Sequence, residues 1–218
     1  MELPDGKYRA VVIDPPWPAA GYPSATWKQG PAAGCCPGRA RGVGHYCHKL
    51  VAHENFDYPL MSLEEIAALE IPSILEPDAV VFVWTINRFV RDAFTLLDTW
   101  GLAYKFQMAW VKPHGPKPVG YPTYNLETVL VGTQGRAKFL DTRDFRTGNL
   151  WEAPPNESPA PGAWGRQIKA CAKPEGFYEL LRRVTPEPRL DMFARRAIEG
   201  FDGWGNEAPT YAGIRQDG

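Results

Sequence analysis

A carboxylate, two prolines and an indole stand side by side at Asp14, Pro15, Pro16 and Trp17. They directly follow "YRAVVI" (8–13), an apolar run that predicts a strand buried on both faces. Asp14 supplies a carboxylate that only accepts hydrogen bonds. The prolines fix φ, so the carbonyls before them are expected to point outward with little freedom, and Trp17 offers a flat stacking surface.

This corner suits a planar ligand that carries an exocyclic amine. Two N–H donors would meet two acceptors while the ring stacks on the indole. Such hydrogen bonds reorient the amine and make its nitrogen lone pair available for attack on an electrophile held in line. The alternative is a plain turn at the end of a strand, since Asp and Pro are ordinary turn formers. These four residues alone leave both interpretations open.

Composition limits the classes of protein that this chain can belong to. With 218 residues it is long enough for one domain with a real core, and we expect a single domain over residues 1–218. Lys plus Arg number 24 against 25 for Asp plus Glu, so binding to nucleic acid would need a local basic patch. The 44% hydrophobic content argues against disorder, whereas 22 Pro and 21 Gly predict long loops.

The cysteines and the hydropathy indicate a compartment. Four Cys at uneven spacing do not make a disulfide scaffold, which favours a reducing, cytoplasmic setting. We find no signal peptide and no apolar run of ~18 residues, so a soluble protein without membrane partners is expected.

Alternation of strand and helix patterns predicts an open α/β sheet, mostly parallel and covered on both faces. "DAVVFVWTI" (78–86) and "RLDMFAR" (189–195, the expected last strand) are typical of buried strands, and "AYKFQMAWVK" and "LETVLVGT" predict an antiparallel hairpin at one edge. Helices are expected after the capping box at Ser62, where Pro72 would end the helix, before Gly101, and after Pro174. Long substrate loops are expected at about 18–60 and 134–170.

Ligands of such sheets bind at the carboxyl ends of the strands. Two strand ends carry unusual side chains: "DPPW" follows the first strand and "DMFARR" contains the end of the last predicted one. We therefore expect these two segments to form one site.

"DPPW" after an apolar strand resembles the catalytic motif of S-adenosylmethionine-dependent amino-group methyltransferases, and the tryptophan form resembles the adenine-N6 family called MT-A70. Further segments are similar to that family and occur in its order: "MSLEEIAALEIP", "VFVWTINRF", "WGLAYKFQMAWVK", "NLETVLVG", "KPEGFYELLRRV", "RLDMFAR" and "GWGNE". The resemblance covers most of residues 8 to 207 and is weakest in the two long loops.

The resemblance implies a Rossmann-like methyltransferase sheet in circularly permuted order, with the catalytic half first and the cofactor half last. It implies that Asp14, the Pro15 carbonyl and Trp17 hold and activate the target adenine, with Pro16 completing the motif. It places the cofactor, S-adenosylmethionine, against the following residues: Asp14, Lys173 at the methionine end, Arg195 at the ribose, and Asn206 and Glu207 at the adenine edge. Asn125 and Glu127 would be structural or lie at the rim of the site.

The sequence departs from the usual MT-A70 pattern at one place, and at another, where "MFARR" suits MT-A70, it differs from many DNA methyltransferases. Cys171 and Ala172 stand where many members have a His-Ser or similar pair, so a side-chain contact there is in doubt. "MFARR" also lacks the glycine-rich turn of many DNA methyltransferases, so no glycine fingerprint supports cofactor binding.

Other polar clusters could contact the substrate. Arg39, Arg41 and Tyr46 occur in a glycine-containing stretch that suits a lid over a flipped base and its phosphates, against the alternative of a solvated loop. Lys112 follows a predicted strand, and we expect it to face the site. Cysteines and histidines crowd residues 35–53, but their spacing fits no zinc pattern and we predict no metal.

The sequence therefore predicts an adenine-N6 methyltransferase that uses S-adenosylmethionine. DNA is the expected substrate because a compact version without accessory domains resembles the bacterial or phage members of the family, which also implies a bacterial or phage-infected cell. RNA is the alternative polynucleotide, and cytosine N4 is a chemically close target. A small-molecule amine methyltransferase and a catalytically inactive nucleic-acid-binding relative are the rivals from other classes. The intact Asp14 favours an enzyme over the inactive relative.

Overall fold

The computed structural model describes residues 2–18, 59–111, 125–143, 151–152, 173–206 and 208. Within this part of the chain, one sheet contains the strands β1 (Tyr8–Ile13), β2 (Leu75–Ile86), β3 (Ala103–Val111), β4 (Leu126–Thr133), β5 (Trp151–Glu152), β6 (Arg189–Met192) and β7 (Asp202–Trp204). Their order across the sheet is β5-β3-β4-β2-β1-β6-β7. Since β4 pairs antiparallel with both β2 and β3 and every other pair is parallel, β4 alone among these strands runs in the opposite direction.

In the described part of the chain, three α-helices cover the two faces of this sheet: α1 (Leu63–Ala67), α2 (Val90–Thr99) and α3 (Glu175–Val184). Val11 and Ile13 of β1 pack into the core that α1 and α2 cover, whereas Ala10 and Val12 pack into the core beneath α3. Because successive side chains of a strand point to opposite faces, a strand between two cores has to be apolar throughout. This confirms the expectation of a mostly parallel α/β sheet that is buried on both sides.

The predicted capping box of α1 is confirmed. The Ser62 hydroxyl accepts a hydrogen bond from the Glu65 N–H at 3.1 Å, and the Glu65 carboxylate accepts one from the Ser62 N–H at 2.7 Å. The expectation that Pro72 ends this helix is wrong, because α1 stops at Ala67 and Pro72 lies inside a 3-10 turn, Ile71–Ile74. Proline is tolerated there because the first N–H groups of a helical turn have no partner within the turn.

The antiparallel pairing of β3 with β4 is also confirmed, but its position at the edge is not. The two-residue strand β5 pairs parallel to β3 on the outer side, so the hairpin lies one strand inside the edge. The same strand interrupts the loop predicted over 134–170. Two residues are too few to produce a recognisable pattern in the sequence.

The prediction of a last strand over 189–195 needs two corrections. β6 ends at Met192 because Phe193 has a φ of 60°, which is not an extended conformation, and β7 follows in what was expected to be a tail. β7 is partly exposed and contains a glycine, so it lacks the apolar run that marks β1, β2 and β4. Among the described helices, none is long and apolar enough to cross a membrane.

Candidate active site

Three charged side chains meet at the carboxyl edge of the sheet, and the topology explains why. Asp14 follows the last residue of β1, and Lys173 precedes α3 by two residues. Glu127 lies near the start of β4, opposite Ile86 at the end of β2. Since β4 runs against its neighbours, its first residues lie at the edge where β1 and β2 end.

Lys173 lies between the two carboxylates. Its Nζ is 3.0 Å from Oδ2 of Asp14 and 3.2 Å from Oε2 of Glu127. The Nζ atom is also 4.5 Å from the centroid of the Trp84 ring, a cation–π contact with a fully buried indole. The Lys173 and Glu127 side chains are 10% and 13% exposed, while Asp14 is 26% exposed. Asp14 is therefore the member of this charged triad that is most open to a ligand.

The charges of the triad depend on one another. Burial raises the pKa of Asp14, the Lys173 ammonium opposes that rise, and the Glu127 carboxylate adds to it. Burial disfavours the charged form of Lys173, but the two carboxylates outweigh this and hold the pKa of Lys173 above its ordinary value. Lys173 is thus a permanent ammonium, and the triad has one more negative charge than positive when both carboxylates are ionised.

The indole of Trp17 is fixed by contacts on one side. Its Nε1 donates to the Trp84 carbonyl at 3.2 Å, and its ring stacks on Phe89 with centroids 5.1 Å apart and planes inclined by 7°. The Trp17 ring remains partly exposed. The corner can therefore present a half-open aromatic surface beside Asp14.

The proline carbonyls of the corner both have partners within the chain. The Pro15 carbonyl accepts from the Trp17 N–H at 2.7 Å, and the Pro16 carbonyl accepts from the Met61 N–H at 3.0 Å. The sequence prediction concerned the carbonyls before the two prolines, which are those of Asp14 and Pro15. Of these, the Pro15 carbonyl is restrained by its bond to the Trp17 N–H. A carbonyl oxygen has two lone pairs, so Pro15 retains one acceptor position beside the bond to Trp17.

A buried carboxylate lies behind the triad on β6. Asp191 is 6% exposed, and the Tyr178 hydroxyl donates to its two oxygens at 3.2 and 3.3 Å. Burial raises the pKa of Asp191 to about 7, while the Tyr178 hydrogen bond lowers it and the charge of Asp14 raises it further. Sequence reasoning missed both residues. The available signal was an aspartate inside an otherwise apolar strand, "RLDMF".

The residues after β6 and β7 pack against each other. The Ala194 N–H donates to the Trp204 carbonyl at 3.1 Å, and a Cβ on Gly205 would lie 2.8 Å from the Phe193 Cα. Arg195 is half-buried, and its charge lowers the pKa of Asp14. Asn206 is exposed just beyond β7. Arg195 and Asn206, two of the predicted cofactor residues, therefore lie at the edge of the sheet that carries Asp14.

Arg196 connects this segment to the start of α3. Its Nη2 donates to the Lys173 carbonyl at 3.2 Å and to Oε2 of Glu175 at 3.1 Å. The other oxygen of Glu175, Oε1, accepts from Nη2 of Arg182 at 2.9 Å. These bonds hold the backbone of Lys173 against the segment that follows β6.

Of the remaining predicted site residues, Asn125 alone lies in the described part of the chain. Asn125 is half-buried just before β4, on the side of that strand that carries Glu127. Several other residues, together with the cluster of cysteines and histidines, lie outside the described part of the chain: Arg39, Arg41, Tyr46, Lys112 and Glu207. Among the described residues, no group of three or more His, Cys, Asp or Glu side chains is placed to hold a metal ion.

Comparisons with known proteins agree with the sequence resemblance. The family model MT-A70 matches residues 45–207, a span that includes Glu127, Lys173 and Arg195 and begins after the Asp14–Trp17 corner. The type II methyltransferase M.MunI of Mycoplasma sp is 26% identical over 220 residues, covering 95% of this chain and 81% of that protein.

Two plant proteins are similar over a shorter stretch. The N(6)-adenosine-methyltransferase MT-A70-like of Arabidopsis thaliana is 26% identical over 168 residues, which is 71% of this chain and 22% of that protein. The probable N(6)-adenosine-methyltransferase MT-A70-like of Oryza sativa subsp. japonica is 26% identical over 165 residues, which is 71% of this chain and 21% of that protein. The chain thus spans about a fifth of the length of these plant relatives.

Proposed function

The chain belongs to the MT-A70 family of methyltransferases, and on that premise we propose that it transfers a methyl group from S-adenosylmethionine to the N6 amino group of adenine in DNA. The observation that carries this proposal is the position of Asp14. It is a partly open carboxylate at the end of a central strand, held by Lys173 and adjacent to a stacked indole.

Asp14 is suited to accept a hydrogen bond from the adenine amine. A carboxylate accepts and an amine donates, so Asp14 has to be ionised for this task. Lys173 supports the ionised form against the effect of burial, and Glu127 in turn holds Lys173 in place. The remaining acceptor position of the Pro15 carbonyl offers a partner for the second N–H. The face of Trp17 that is not packed on Phe89 can carry the adenine ring.

The charges of the site fit the proposed cofactor. Asp14 and Glu127 together exceed Lys173 by one negative charge, and an excess of this sign favours a sulfonium and an ammonium group. When bound, the cofactor supplies a methyl group activated by positively charged sulfur. Arg195 and Asn206 are proposed as contacts to its nucleoside half, and Lys173 as the contact to its carboxylate. The chain itself orients the amine, and the amine proton can leave to solvent.

The choice of DNA follows from the extent of similarity. The type II methyltransferase matches over 95% of this chain and 81% of its own length, whereas the two plant proteins match over 71% of this chain and 21–22% of their own length. The plant names specify N6 of adenosine, which supports the base and the atom and makes RNA the second candidate polynucleotide.

Substitution of Asp14 tests whether the chain is an enzyme. Wild-type protein should transfer labelled methyl groups to an adenine-containing oligonucleotide, and Asp14→Ala should lower the rate by at least about 100-fold while retaining part of the cofactor binding. Ser62→Ala removes a hydroxyl from the cap of α1 and should retain the activity. Full activity of Asp14→Ala would contradict the proposal. Oligonucleotide binding by the wild type without any transfer would identify an inactive relative instead.

A further inference from the structure

The end of β2 restrains the indole of Trp17 at two points. The Trp84 carbonyl accepts a hydrogen bond from the Trp17 Nε1 at 3.2 Å, and the Phe89 ring lies 5.1 Å from the indole with the planes inclined by 7°. Trp84 lies in β2, and Phe89 ends the 3-10 turn Asn87–Phe89 that directly follows this strand. Both restraints therefore come from one short segment of regular structure.

The hydrogen bond and the stacked ring restrain the indole in different ways. A hydrogen bond at Nε1 holds one edge of the indole but lets the ring plane tilt about that edge. A ring that is stacked nearly parallel opposes this tilt, because tilting loses van der Waals contact over the whole face. The Phe89 ring thus sets the angle of the Trp17 plane, which the hydrogen bond to Trp84 does not set.

Phe89 is buried without belonging to a hydrophobic core. It is 7% exposed, yet within the described part of the chain it is a member of neither of the two cores that the helices cover. Trp17, by contrast, packs at the margin of the core beneath α1 and α2. The position of Phe89 is therefore better explained by its stack on Trp17 than by the interior of the domain.

Trp84 connects this indole to the charged triad. Its carbonyl accepts from Trp17, while the Lys173 Nζ lies 4.5 Å from the centroid of its ring and 3.0 Å from the Asp14 carboxylate. The indole and the carboxylate are therefore held, directly or through Lys173, by the same residue of β2. A base on Trp17 would meet Asp14 at an angle set in advance, and a misplacement of about 1 Å can cost about 100-fold in rate.

We propose that Phe89 positions the target base by holding the Trp17 indole at a fixed angle, so that the base completes a stack of three rings beside Asp14. This inference rests on the proposed function, because it assumes that an aromatic base lies on Trp17. Phe89 contacts the indole and not the base, so its role is positioning and it takes no part in the methyl transfer itself.

Binding and turnover of a single adenine test this role. The probes are a single-stranded thymidine oligonucleotide with one adenine and the same strand with an abasic site in its place. The ratio of their dissociation constants reports stacking of the base, and Trp17→Ala should lower the preference for adenine about tenfold. Phe89→Leu keeps apolar bulk but removes the ring, so it should lower this preference about threefold and kcat about tenfold.

A double variant separates positioning from a structural role. In the Trp17→Ala background, Phe89→Leu should cause no further loss of preference or kcat, because its effect passes through the indole. Phe89→Tyr keeps the ring and should retain both quantities. Phe94→Leu is the matched control and should match the wild type, because the Phe94 ring contacts Tyr104 at 5.0 Å, near the start of β3 at the opposite edge of the sheet.

The outcomes distinguish this inference from the proposed function. Unchanged preference and kcat in Phe89→Leu, with the wild type still methylating the strand, overturn the role of Phe89 alone. Losses that add in the double variant, or a Phe89→Tyr variant as impaired as Phe89→Leu, show that Phe89 supports the fold and also overturn it. If the wild type neither binds nor methylates any DNA or RNA oligonucleotide, the proposed function fails and the inference fails with it.

Discussion

At the scale of single residues, the site depends on one ammonium shared by two carboxylates. Lys173 lowers the pKa of Asp14, and Glu127 raises it. The Nζ atom of Lys173 contacts both carboxylates. Removing a buried partner leaves an uncompensated charge, which costs far more than the net stabilisation of the pair. Substitutions at Lys173 and Glu127 should therefore act on Asp14 in opposite directions.

The pH dependence of methyl transfer shows these opposite effects. If ionised Asp14 is needed, activity falls as pH falls through the pKa of Asp14. Lys173→Met removes the cation that lowers this pKa, so the acidic limb should move to higher pH and the maximal rate should fall. Glu127→Gln removes the carboxylate that raises it, so the limb should move to lower pH. Rate profiles measured at saturating cofactor check both shifts, and shifts of the same sign in both variants would contradict the triad.

Asp191 should make the folded state less stable as pH rises. Its pKa is raised from 3.8 to about 7, so between these values the folded chain holds a proton that the unfolded chain has lost. The free energy of unfolding should therefore decrease from about pH 4 to about pH 7, by on the order of 4 kcal/mol from this group. Asp191→Asn keeps an acceptor for the Tyr178 hydroxyl and should flatten the decrease.

Urea unfolding at several pH values measures this slope. Asp98→Asn, at an exposed aspartate on α2, is the matched control and should retain the decrease. A steep decrease that persists in Asp191→Asn would assign the pH dependence to other groups.

The residues of the site were only partly predictable from the sequence. The position of Asp14 after an apolar strand, and the resemblance of the Lys173 segment to the MT-A70 family, were enough to select both residues. Their ion pair depends on how β1 and the start of α3 meet in space. Glu127 was assigned to the rim or to structure, and its contact with Lys173 follows from the direction of β4. Asp191 was missed because a carboxylate in a short apolar strand gives no periodic signal.

At the scale of elements, the direction of β4 and the packing of the segments after β6 and β7 build the site. The apolar runs of β1, β2 and β4 and the capping box of α1 were predictable because they are local patterns. The strands β5 and β7 were not, since a strand of two or three residues forms only where a neighbour offers its edge. The order of strands across the sheet likewise depends on contacts between distant parts of the chain.

The close approach of Gly205 to the backbone of Phe193 should be needed for cofactor binding. Gly205 has a φ of 144°, and a Cβ there would lie 2.8 Å from backbone atom Cα of Phe193. Gly205→Ala should push apart the segments that carry Arg195 and Asn206, and weaken the affinity for S-adenosylmethionine about tenfold or more. Gly101 also has a positive φ, of 66°, but no atom lies within 4 Å of the corresponding Cβ.

Gly101→Ala is therefore the matched control for Gly205→Ala. It should cost about 1–2 kcal/mol of stability from the left-handed backbone and leave cofactor affinity unchanged. Calorimetric titration of the folded variants with the cofactor measures the difference. Equal affinities in both variants would show that the two segments do not form the cofactor site.

At the scale of the whole molecule, the parallel strands bring distant parts of the chain to one edge of the sheet. The segments after β6 and β7 carry the proposed cofactor contacts, and Asp14 follows the neighbouring strand β1 at the same edge. A near-neutral chain of this kind should bind polynucleotides through a few local contacts. Methyl transfer should therefore weaken with salt less steeply than in proteins that make six to ten phosphate contacts.

The identity of the methylated nucleoside tests the central claim most directly. The wild-type protein is incubated with methyl-labelled S-adenosylmethionine and matched single- and double-stranded DNA and RNA oligonucleotides, which are then digested to nucleosides and separated. The account predicts that the label elutes as N6-methyl-2′-deoxyadenosine and is absent from the Asp14→Ala reaction. Label in N6-methyladenosine alone would make the substrate RNA. Label in N4-methylcytosine, or in no nucleoside at all, would contradict the account.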